Sequence, residues 1–161
     1  MSEISIYQDN LISFLNIIEG SQIEKILFTE DLYPTFDKIK IQYKFRYCFN
    51  VTFITNKGNY LLTTSQTSSG IEKFWVKHQN STTDNTSEIV INSFVKNVSN
   101  IKEIKNHPYK FSIFLESGFL TFYAADIYDG QNSINSINLE DEMILVFDNE
   151  IDLFDFEKSI M

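Results

Sequence analysis

Residues 38–53, KIKIQYKFRYCFNVTF, change chemical character at every step. Ile39, Ile41, Tyr43, Phe45, Tyr47, Phe49, Val51 and Phe53 fall on odd positions, and Lys38, Lys40, Gln42, Lys44, Arg46, Cys48, Asn50 and Thr52 on even ones. Successive side chains of an extended chain point to opposite faces, so a period of two describes a strand with one face on a core and one in water. Drawn straight, at about 3.3 Å per residue, it would reach roughly 50 Å, well beyond an ordinary strand. The expectation is a strongly bent strand, bulged near Cys48 to Asn50, wrapping a sheet around a helix.

The flanking sequence supplies partners for such a sheet. Asn56-Lys57-Gly58-Asn59 turns the chain and Tyr60 to Thr64 returns as a hairpin strand. A second hairpin alternates through Tyr109, Phe111, Ile113 and Leu115, turns at Glu116-Ser117-Gly118 and runs back from Phe119 to Ala125. Shorter strands are expected at Ile23 to Phe28, Ile71 to His78, Ile101 to Lys105, Met143 to Phe147 and Glu150 to Phe156. The Met143 run is apolar at both parities, the mark of an interior strand covered on both faces. Two helices are expected. In the first, Tyr7, Leu11, Phe14, Leu15 and Ile18 share one face, Ser5 with Gln8 forms a capping box and Gly20 closes the end. The second is read over 86–98, where Ile91, Phe94, Val95 and Val98 share a face behind Asn85. Loops are expected at Thr64 to Gly70, Gln79 to Thr86 and Asp126 to Asn138, the last being long enough to bind something.

The fold class is therefore α+β, a mostly antiparallel, strongly bent sheet with two helices packed on it. At 161 residues the chain has the size of a single domain. Its 43% hydrophobic content builds a core without a disulfide or metal staple. Ser21-Gln22-Ile23-Glu24-Lys25-Ile26 resembles Ser99-Asn100-Ile101-Lys102-Glu103-Ile104, which allows a weak internal duplication of 5–79 and 85–156. Cys48 is the only cysteine, and no basic leader or long apolar run is present, so a cytoplasmic protein without membrane attachment is expected.

Charge is distributed unevenly. Residues 1–125 carry twelve acids and twelve bases, so the formal net charge of -9 comes entirely from residues 126–161, with ten acids and Lys158. Those acids are interleaved with Ile, Leu and Phe, unlike a disordered acidic tail, and should sit on folded elements. They either keep a face solvated, or neutralise Lys38, Lys40, Lys44 and Arg46 across a sheet, or dock a basic partner. The alternation Asp148, Glu150, Asp152 slips at Leu153-Phe154, as at a strand end.

Catalytic signatures are missing. No nucleophile elbow, phosphate-binding glycine loop or HExxH pair occurs, His78 and His107 fall at strand edges or loops, and Cys48 lies on the wet face without a placed base. Asp126-x-x-Asp129-Gly130 lacks the further ligands of a calcium loop. Neither a metal nor a cofactor is expected, and direct nucleic-acid binding is disfavoured by the charge. Paired carboxylates for acid and base work could be assembled from the ten clustered acids, as in a glycosidase, and a sugar hydrolase of this size would be expected to carry aromatics and acids in one cleft. The preferred expectation is an acidic protein-binding protein, an immunity or inhibitor protein that neutralises a basic toxin or nuclease-like enzyme. Its binding surface comprises Asp126, Tyr128, Asp129, Glu140, Asp141, Glu142, Asp148, Glu150, Asp152, Phe154 and Asp155, with Tyr128 and Phe154 as apolar anchors. The alternative is a ligand-binding or enzymatic domain with an apolar pocket between sheet and helices. A structural subunit closing its apolar surface in a homodimer is the third reading.

Overall fold

The computed structural model describes residues 2–29, 44–80, 87–128 and 136–160. In chain order the elements are α1 (Glu3–Ile18), β1 (Gln22–Thr29), β2 (Arg46–Cys48), β3 (Asn50–Thr55), β4 (Gly58–Gln66), β5 (Glu72–Gln79), β6 (Ser87–Val98), α2 (Ile101–Asn106), β7 (Lys110–Leu115), β8 (Gly118–Tyr128), β9 (Ser136–Phe147) and α3 (Glu150–Ser159). The fold is α+β with one large antiparallel sheet, ordered β2-β9-β8-β7-β6-β1-β3-β4-β5. Among the described residues there are three helices where two were expected.

The alternating run divides at Phe49. Residues 38–43 lie outside the described residues; β2 pairs with β9, whereas β3 pairs with β1 and β4. Only Phe49 separates them, so β2, at one end of the strand order, is held close to β3, third from the other end. The side-chain phase slips there too: Cys48 joins the same core cluster as Val51 and Phe53, while Tyr47 joins a second cluster. Cys48 is therefore buried, with its thiol 3.7 Å from the Ile144 carbonyl, and the expected wet face is covered here. The reason is that the sheet is packed on both faces. The first cluster gathers Leu11, Phe14, Leu15 and Ile18 of α1 with inward residues of β1 and β3–β8. The second gathers Tyr123, Leu145 and Phe147 under Phe156 of α3. Met143–Phe147 is buried between β2 and β8, which accounts for its apolar character at both parities.

Both expected hairpins are present, as β3–β4 and β7–β8. Helix α1 starts earlier than the capping pattern suggested: Ser2, not Ser5, is the cap, its hydroxyl accepting from the Ser5 N–H at 3.2 Å. Gly20 ends that turn at φ +80°, a conformation costly for any residue with a Cβ. Asn10 of α1 closes the outer edge of β5: its amide accepts from Val76 N–H at 2.8 Å and donates to Val76 C=O at 3.0 Å. A side-chain amide thus satisfies a strand edge that would otherwise be a pairing template.

Three assignments change between helix and strand. The helix expected over 86–98 is strand β6. Register shifts against β1 and between Val95 and Asn97, with Asn92 at φ 46°, interrupt its alternation and place apolar residues at spacings that imitate a helix. β-Branched residues fit the ladder between β1 and β7. The strand expected at Ile101 to Lys105 is α2, capped by Asn100, whose side chain accepts from the Glu103 N–H at 2.9 Å. The two six-residue runs that resemble each other therefore adopt different structures. The strand expected at Glu150 to Phe156 is α3, and the phase slip at Leu153-Phe154 is simply helical spacing: Leu153, Phe156 and Ile160 face the sheet. The two ends of the long loop expected at Asp126 to Asn138 are strand, since Asp126 pairs with Asn138 and Tyr128 with Ser136, and residues 129–135 lie outside the described residues.

Candidate functional site

The C-terminal acids separate into three groups. Asp126 is buried in β8; its carboxylate accepts from the Tyr47 hydroxyl and from the Ile127 N–H at 2.7 Å. Of Tyr128 the backbone pairing is described, and Asp129 lies outside the described residues.

The second group sits on a break in β9. Ala124 pairs with Ile144 and Ala125 with Leu139, so Glu140 to Met143 leave the β8 ladder, and Glu140 adopts φ 59°. This segment is tied to the β4–β5 hairpin. Lys73 Nζ, whose side chain is 7% exposed, lies 2.8 Å from the Glu140 carboxylate, and the Thr64 hydroxyl donates to the Glu142 carbonyl at 2.7 Å. A lysine so buried needs its partner ion, so the Glu140 charge is spent inside the fold. Glu142 is exposed and Asp141 half-buried, the latter accepting from the Glu142 N–H at 2.7 Å. Burial first, and then the neighbouring Glu142 and Asp141 carboxylates, push Glu72 above the usual glutamate range.

The third group belongs to α3. Asn149 caps the helix, its side-chain oxygen accepting from the N–H groups of Ile151 at 2.9 Å and Asp152 at 3.1 Å. Glu150 and Asp152 occupy the first turn, where negative charge meets the positive end of the helix dipole. Phe156 is fully buried against the Tyr123 and Phe147 rings, and Glu157 accepts from both the Tyr123 hydroxyl and Lys110 Nζ. Burial and that hydrogen bond raise Tyr123 far above the ordinary tyrosine range. With this underside fixed, the opposite face presents Ile151, 72% exposed, and Phe154, 64% exposed. They lie one turn apart among the exposed Asp148 and Glu150 and the half-buried Asp152 and Asp155.

Sequence reasoning named Phe154 and the acids around it but missed Ile151, because a strand reading put these residues on opposite faces. A helical reading from Asn149 would have joined them. Of the basic strand, Lys44 is exposed and the Arg46 guanidinium lies 4.7 Å from the Phe28 ring centroid, while Lys38 and Lys40 lie outside the described residues. Where α1 meets β5, the free space between Tyr7, Leu11, Phe74 and Ile104 is about 10 Å³, room for one water at most. Among the described residues no three His, Cys, Asp or Glu side chains assemble as metal ligands, and no helix is long and apolar enough to cross a membrane. In comparisons with family models, curated proteins and solved structures, nothing matches this chain.

Proposed function

We propose that the outward face of α3 is a docking surface for a basic protein. The observation that carries this reading is the exposure of Ile151 and Phe154, two large apolar side chains on one helix face ringed by Asp148, Glu150, Asp152 and Asp155. An apolar centre within a charged rim is the anatomy of a protein interface, in which the rings anchor and the charges steer. The acid rim selects a cationic partner and speeds its encounter. A protein acting in this way belongs to the class of immunity or inhibitor proteins that occlude a basic toxin or a nucleic-acid-binding enzyme. The surface is narrower than the sequence suggested, because Glu140 and Asp126 have partners within the fold.

Affinity capture from the native organism tests this. The intact chain should retain a basic protein at low salt and lose it as ions screen the rim. Phe154→Ala and Asp155→Lys, both beyond the first turn of α3, should each lose the same protein while remaining folded. Retention of an identical set of proteins by all three chains would refute the proposal.

A further inference from the structure

A groove of about 640 Å³ opens where the ends of β1, β3 and β4, the start of β5 and the break in β9 converge. Thr29, Phe49, Asn50, Thr64, Ser65, Gln66, Glu72 and Glu142 line it, and it shares no residue with the α3 surface. Its size is that of a small-molecule site. Among the eight described residues that line it, five are neutral hydrogen-bonding side chains and none is a cation. The Thr29 hydroxyl, the Asn50 amide and the two carboxylates make no side-chain hydrogen bond to other described residues, so they are available to a ligand. Phe49, at the junction where the alternating run divides, is 36% exposed. One aromatic ring, Phe49, and two carboxylates, Glu72 and Glu142, therefore share this groove.

We propose that this groove is a saccharide-binding site that takes one or two neutral pyranose rings. The apolar C–H face of a pyranose packs on the Phe49 ring, and neighbouring hydroxyls meet Glu72, Glu142 and the amides of Asn50 and Gln66. Sugar hydroxyls both donate and accept, as this mixed lining requires. An alkylammonium or guanidinium group only donates, so it would engage the two carboxylates and not the N–H groups of the Asn50 amide. The inference is independent of the docking surface, since either can fail alone.

The test is a neutral glycan array probed with the labelled full chain, followed by saturation-transfer NMR with the bound disaccharide and, as a contrast, arginine amide. Transfer should concentrate on the C–H protons of one pyranose face. Phe49→Leu and Glu72→Gln, each checked for folding by thermal unfolding, should weaken binding by about tenfold or more. Should Phe49→Leu fail to fold, Asn50→Ala provides the same readout. An array without a neutral ligand, binding unchanged in the folded variants, or salt-sensitive binding of arginine amide in place of the sugar would overturn the assignment.

Discussion

Phe154 and Phe156 are two residues apart and opposite in energetic role. Phe156 is fully buried among rings, so Phe156→Ala should destabilise by about 3–5 kcal/mol in urea unfolding. Phe154→Ala removes a ring that faces water, and should change stability by no more than about 0.5 kcal/mol. Equal losses from both would show that α3 is packed differently. Glu72 offers a test of sign. Its folded-state value lies above that of the unfolded chain, so the protonated form is favoured by folding and stability falls as pH rises from the unfolded value through the folded one. Glu72→Gln should therefore be more stable than the natural chain at pH 7, with the advantage vanishing at pH values below the usual glutamate range. Denaturant melts across that range would show it. Tyr123 obeys the same rule at the alkaline end: spectrophotometric titration should find a tyrosine that ionises only when the protein unfolds.

Among the elements, β5 has its edge closed at Val76 by the Asn10 side chain. Asn10→Ala would leave the Val76 N–H and C=O without their partner, at a cost of about 1–3 kcal/mol, and should speed hydrogen exchange at Val76. Unaltered exchange there would remove Asn10 from that role. The two hairpins and α1 were legible in the sequence because local turn chemistry and an uninterrupted period specified them. β6 was not, since Asn92 and the shift after Val95 break the alternation and move apolar residues onto helical spacing. α3 was misread for a related reason: over so few residues, acids at Asp148, Glu150 and Asp152 satisfy period two, and the deciding signal is the cap at Asn149. That misreading also hid Ile151, half of the apolar centre of the candidate site.

For the molecule as a whole, the asymmetry of charge was plain in the sequence, but its layout required the tertiary structure. Glu140 and Glu157 are answered by Lys73 and Lys110, lysines far away in the chain that no local pattern connects with them. The net charge of -9 remains, and Asp148, Glu150, Asp152 and Asp155 contribute to it around Ile151 and Phe154. A basic protein bound there should associate faster at low ionic strength, while its dissociation depends mainly on the two apolar side chains. Hydrogen–deuterium exchange of the complex with the captured basic protein examines the docking surface most directly. The account predicts slowed exchange over residues 148–155 on binding, lost with Phe154→Ala; slowed exchange elsewhere, with α3 unchanged, would contradict it.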